Sequence, residues 1–117
     1  MEDRLIELLS TFTFGVYRQG SLAGKPYPAA FFTFWNDSSE DGNHYDNEPL
    51  ENVERFDVNF YSTDPEQVYT TLASARALLL ENGFMISGTG YDVPSDEDTH
   101  TGRGFLAIYE TLRRTTT

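Results

Sequence analysis

The 117-residue sequence predicts a single α+β domain: a mainly antiparallel sheet of about four strands with two helices packed on one face. Three observations predict it. Two segments, around Leu5–Phe12 and Val68–Leu80, place apolar residues at helical spacing, and four others carry the alternation or aromatic density of strands. The resulting order is helix, strand, strand, helix, strand, strand, and its short connections favour antiparallel neighbours. The length suits one domain, and nine Phe, seven Tyr and one Trp supply its apolar core despite the high charge.

In the first helix Leu5, Ile6, Leu8, Leu9 and Phe12 form the apolar face, with Glu2, Asp3 and Glu7 opposite. Acids in the first turn suit the positive end of the helix dipole. Gly15 ends this helix or shortly precedes an extended piece through Val16 and Tyr17. Residues 20–28 read as a connector whose Pro26 and Pro28 push their neighbours toward extended geometry. Phe31, Phe32, Thr33, Phe34 and Trp35 then form a strand with aromatics on both faces, so both are covered or one awaits a partner. Residues 36–50 read as a long polar loop, of a length that is usually functional. In the next strand Val53, Phe56, Val58 and Phe60 interleave with Arg55, Asp57 and Asn59, which predicts one buried face and one wet face.

The second helix has the strongest signals. Asp64 is the N-cap, Pro65 fits the first turn, and Gln67 stands three after Asp64 as in a capping box. Val68, Leu72, Ala75 and Leu79 form its buried stripe, and Gly83 supplies the left-handed residue that closes it. Phe84, Met85 and Ile86 begin a strand that passes Gly88 and Gly90, a bulge or tight bend, to Tyr91 and Val93. A second polar loop runs from Pro94 to Gly104. The last strand, Phe105–Leu112, sets Leu106 and Ile108 against Phe105, Ala107 and Tyr109 on the other face. The domain thus spans residues 1–112, and 113–117 form a flexible tail.

Nineteen acids against eight Lys and Arg give a net charge of −11. Such a surface repels phosphate backbones and anionic membranes, and its simplest role is solubility. The chain has no cysteine, so disulfides and thiolate chemistry are excluded. No apolar run reaches the roughly 20 residues that span a bilayer. The start, Met-Glu-Asp-Arg, is not that of a signal peptide, which points to synthesis in the cytoplasm.

Asp37, Ser39, Asp41, Gly42 and Glu48 fall at positions 1, 3, 5, 6 and 12 of an EF-hand calcium loop. The context opposes it: a strand precedes the segment, Pro49 follows Glu48, and His44 stands where an apolar residue belongs. Asp92, Asp96, Glu97, Asp98 and His100 are better read as a solvated acidic loop than as a metal cluster. The chain has only two histidines, His44 and His100, both read in loops, and no cysteine, and no serine elbow, phosphate loop or dinucleotide fingerprint occurs. No catalytic, cofactor or metal site is expected, and an enzyme is not the favoured reading.

The order and spacing of several short stretches carry a resemblance. They are Pro26-Tyr27-Pro28 with Phe31-Phe32-Thr33-Phe34-Trp35-Asn36, and His44-Tyr45-Asp46-Asn47-Glu48. Phe56 to Pro65, Gly83-Phe84 and Thr99 to Phe105 follow. Over roughly residues 3–112 the chain resembles the tail terminator, or tail completion, proteins of long-tailed bacteriophages and prophages. The resemblance implies a structural virion protein without cofactor. It would form a ring, typically hexameric, at the head-proximal end of the tail tube, stop tube growth and join tail to head. Its partners would be copies of itself, the tail-tube protein and the head connector. It would assemble in the host cytoplasm and then reside in the virion tail. Six copies would carry about −66 charges, so DNA would pass the lumen without adhering. The expected assembly contacts are the segments 36–50 and 92–104, with Asp37, Asp41, His44, Tyr45, Asp46, Asn47, Asp92, Asp96, Asp98 and Arg103, ordering as the ring forms. A head-completion or connector protein of the same virion, and a calcium-binding interaction module, are the alternatives.

Overall fold

The computed structural model describes residues 2–22, 25–41, 44–45, 48–49, 51–95 and 98–112, with side chains described over 2–22, 25–36, 53–95 and 98–110. The chain opens with α1 (Glu2–Ser10), whose Leu5, Leu8 and Leu9 are buried. The helix stops at Ser10, earlier than the apolar spacing suggests, because Thr13 takes a left-handed φ of 66° and turns the chain. Phe12 still reaches the core, its ring centroid 5.9 Å from that of Phe32.

Next come β1 (Gly15–Arg18), β2 (Ala30–Asp41), the short β3 (His44–Tyr45) and β4 (Glu48–Pro49), and β5 (Glu51–Ser62). The helix α2 (Pro65–Glu81) leads to β6 (Met85–Val93) and β7 (Thr101–Leu112). Five strands form one sheet in the order β1-β2-β5-β7-β6; β1 lies parallel to β2 and every other pairing is antiparallel. The fold is therefore the expected α+β domain, enlarged by a short parallel edge strand where the sequence offered only Val16 and Tyr17.

Both helices lie on one face. Phe32 and Phe34 of β2, Phe56, Val58 and Phe60 of β5, and Phe105 and Ala107 of β7 project toward them. They pack with Leu5, Leu8 and Leu9 of α1 and Val68, Leu72, Ala75 and Leu79 of α2. Phe32 and Phe60, direct cross-strand partners, meet at 4.7 Å between ring centroids.

The caps of α2 follow from its sequence with one variation. Asp64 Oδ1 accepts from the Glu66 N–H at 3.0 Å. Gln67 does not return to the cap backbone. Its Oε1 accepts from the Ser62 hydroxyl at 2.6 Å, and the Ser62 oxygen accepts from the Asp64 N–H at 3.0 Å, so a buried serine relays the box. At the other end the Phe84 N–H bonds to Leu79 O and the Gly83 N–H to Leu80 O, the Schellman pattern, with Gly83 at φ 91°.

Two expected loops are corrected. Residues 36–50 are not one loop: β2 continues to Asp41, β3 pairs with β4, and β5 starts at Glu51. Beyond Phe56, whose partner is Asn36, the ladder runs past the core as Ser38–Asp41 against Asn52–Arg55, with one register shift at Asn36/Ser38. Most residues of this stretch of β2 are polar, so its sequence carries no alternation that would mark a strand. At strand rise the Cα atoms of Asp37 and Asp41 stand roughly 13 Å apart, a separation that does not wrap a single ion. The segment 94–104 is likewise shorter as a loop, since Thr101–Gly104 already pair with Asn59–Ser62. Residues 113–117 lie outside the described residues.

The left-handed φ at β-branched Thr13 costs about 1–2 kcal/mol that glycine would avoid. After the greater unfolded-state freedom of glycine is deducted, Thr13→Gly is expected to stabilise the fold by about 0.5–1 kcal/mol in urea unfolding.

Candidate functional site: the arm and the helix-free face

The residues expected to make assembly contacts fall in two groups at opposite ends of the sheet. Asp37 and Asp41 lie on β2, and His44 and Tyr45 on β3, at the end where Asp41 pairs with Asn52. Asp92 lies on β6, one residue before its end, and Arg103 lies on β7, near the end where Ser62 pairs with Ala30 and Thr101. Asp98 is exposed in the turn between β6 and β7. Asp46, Asn47 and Asp96 lie outside the described residues. Eleven steps of β2 separate the two ends, roughly 36 Å at strand rise, so the two segments do not share a surface within one subunit.

Of the described residues in this set, Asp92 and Arg103 are joined by an ion pair, Arg103 Nη1 to Asp92 Oδ1 at 2.8 Å. The Arg103 guanidinium also lies 4.8 Å from the centroid of the Tyr69 ring on α2. Arg103 thus ties β6, β7 and α2 together. Its side chain is only 18% exposed, which makes it a packing residue more than a surface contact.

At the Asp41 end, β2, β5 and β7 extend beyond the helix-packed body as a three-stranded arm. β1 pairs with β2 only through Phe34, and β6 pairs with β7 only as far as Met85 opposite Ile108. Among the described residues, the outer edge of β2 after Phe34, apart from the Gln19 N–H on Phe34 O, and the outer edge of β7 after Ile108 carry no strand.

The face away from the helices is not simply wet, as the alternation of β5 suggests. The odd-numbered residues of β5 point to it, and while Arg55 and Asp57 are half-buried, Asn59 and Tyr61 are buried. Phe31 is stacked on Tyr61 at 5.3 Å, with Tyr17 and Tyr27 edge-on to Phe31 at 6.1 and 5.4 Å. His100 packs against Phe31 and Tyr27, each at 5.9 Å. Its Nε2 is 2.8 Å from Pro28 O, an acceptor only, so Nε2 donates there, and Nδ1 lies 3.0 Å from Thr99 Oγ1. The connector is thereby held down over the sheet at Phe31, and Phe31, Phe32, Thr33 and Phe34 are all buried.

Two glycines of β7 make this face possible. A Cβ at Gly102 would stand 2.6 Å from the Tyr61 ring and 2.8 Å from Val93, and one at Gly104 would stand 2.0 Å from Asn59 Oδ1. Tyr61 and Asn59 therefore lie across the strand where side chains would otherwise rise. The Gly-Arg-Gly run of β7 was the sequence signal for this arrangement. Beside it open two cavities of about 310 and 240 Å³, the first lined by Arg18, Leu22, Tyr27 and Thr33, the second by Trp35, Asp57, Asn59 and Tyr91. Among the described residues no three His, Asp or Glu side chains converge as a metal ion would require, and no helix is long and apolar enough to cross a membrane.

A scan against protein-family models returns no match, and a search of curated proteins returns none of significance.

Two substitutions probe this face. His100→Ala removes the donor to Pro28 O and two ring contacts, and is expected to cost about 1–2 kcal/mol in urea unfolding. Gly102→Ala is expected to destabilise by about 2 kcal/mol, and less in a Tyr61→Ala background; a double-mutant cycle with no coupling would refute the close approach.

Proposed function

We propose that the chain is a structural component of a phage or prophage tail, a tail terminator that closes into a ring at the head-proximal end of the tube. In that place it stops tube growth and presents the surface that joins the head. The observation that carries this reading is the arm, whose two outer edges carry no strand among the described residues and face in opposite directions across the sheet. A head-to-tail ring needs two different, complementary patches on each subunit, and strand addition between β2 of one copy and β7 of the next supplies them. β2 and β7 both run toward the arm's end, each antiparallel to β5, so such a junction would be a parallel pairing.

The acid surface supports the same reading. With −11 charges per copy, a ring of these subunits repels DNA in its lumen instead of binding it. The resemblance to tail terminators supplies the partners: copies of this chain, the tail-tube protein and the head connector.

The reading is tested on purified protein by light scattering after gel filtration and by negative-stain imaging. Six copies of 13.3 kDa give a species of about 80 kDa, at high protein concentration or when tail-tube protein is added. A strict monomer that neither caps tubes nor joins tails to heads would sink it. The edge itself has a sharper test. Phe34 O is turned outward to the Gln19 N–H, and alternation carried through the register shift puts the Ser39 N–H on the same edge. Ser39→Pro is expected to leave the fold of the monomer intact, with thermal unfolding within a few degrees of the parent, and to abolish the ring. A ring that survives this change is not closed through β2.

A further inference from the structure

The two cavities of the helix-free face share Gln19, Tyr61 and Pro94, so they form one trough that follows β2 from Phe31 to Trp35. Thr33 lines the first and Asn59 the second, and the two are direct cross-strand partners. They are only 6% and 3% exposed, yet neither Thr33 Oγ1 nor Asn59 Oδ1 finds a hydrogen-bond partner among the described residues. A buried polar group left unsatisfied is destabilising. Two such groups, side by side in the middle of a sheet, are a sacrifice that a ligand in the trough would relieve. The wall beyond them is aromatic and accessible, with Trp35 39% and Tyr91 42% exposed.

The molecule itself displays the kind of chain that suits this surface. Its Pro26-Tyr27-Pro28 segment packs on the adjoining stretch of the same face. There Tyr27 stands edge-on to Phe31, and the Pro28 carbonyl accepts from His100. Proline holds such a segment extended in advance, so little chain entropy is lost on docking.

We propose that the trough binds an extended, proline-flanked aromatic segment of a partner polypeptide. The ring of that segment lies between Tyr61 and the Trp35–Tyr91 wall, and a main-chain N–H is donated to Asn59 Oδ1. Rotation about χ2 of Asn59, a soft torsion, turns that oxygen into the trough, and a change of χ1 brings the Thr33 hydroxyl to a main-chain carbonyl. The site uses a face of the sheet and not the edges of the arm, so it stands independently of the proposed ring.

The test is an amide-shift titration of the ¹⁵N-labelled full chain with the peptide acetyl-Ala-Pro-Tyr-Pro-Ala-amide to low-millimolar concentration. Saturable shifts are expected at Thr33, Tyr61, Tyr91 and the Asn59 side-chain amide, and none with acetyl-pentaalanine-amide. Thr33→Val is the discriminating variant. It replaces an unsatisfied hydroxyl by a methyl group of the same shape, so stability in urea stays equal or rises while peptide affinity falls about tenfold. Should that variant fail to fold, Tyr91→Ala, at an exposed wall, is expected to show the same loss of affinity. The proposal is overturned by absence of saturable shifts, by shifts confined to the arm, or by equal binding of the alanine peptide. Unchanged affinity in the folded variant overturns it as well. Shifts of these same residues on raising protein concentration without peptide would assign the trough to a second copy and overturn it too.

Discussion

The antiparallel pairing of β2 with β5 places Phe32 against Phe60 and, one residue on, Thr33 against Asn59, so a single register sets both faces of the sheet. On the even side it assembles the aromatic core beneath the helices. On the odd side it builds the Phe31–Tyr61 stack that the connector and His100 cover. A slip of one residue would exchange the two sets, exposing Phe32, Phe34 and their partners while burying Arg55 and Asp57. The cost of burying those charges without partners far exceeds what any turn chemistry at the distant hairpin end could offset. The register is thus held by the body of the domain, and the arm inherits it.

That inheritance explains how a polar segment becomes a strand. Past Asn36 the β2 strand is Asp37-Ser38-Ser39-Glu40-Asp41, with no apolar residue, yet its pairing with β5 continues to Asn52. The ladder continues because each further residue adds hydrogen bonds to a pairing whose loop-closure entropy has already been met. β7 joins it through Leu112, opposite Glu51, which makes the extension three strands wide.

The same distinction marks what could be read in the sequence. Where one face is buried, the period is visible: the alternation of Phe56, Val58 and Phe60, the stripe of Val68, Leu72, Ala75 and Leu79, and the glycine that closes α2 all stand as expected. Where a strand has no apolar residue, as over Ser38–Asp41, there is no period, and the segment reads as a loop. The short β1 was only half visible, because its four residues are defined by parallel pairing to a distant strand and not by their own pattern. The site was the least legible part. Arg103 stands out in sequence as one cation in an acidic stretch, yet its place is set by Tyr69 and Asp92, residues 34 and 11 positions away. Gly102 and Gly104 read as loop formers until the Tyr61 ring and Asn59 are seen lying over them.

An uncovered strand edge is a hazard as well as a joint, since any extended chain can add to it. In the proposed ring the acid residues answer that hazard. Asp37, Glu40 and Asp41 crowd the end of β2, so two β2 edges repel each other, and a chance partner of like charge is turned away. In the proposed ring, backbone hydrogen bonds would give the junction its affinity without regard to sequence, and the acids of β2 would disfavour its pairing with a second β2, which leaves a head-to-tail joint between two different edges.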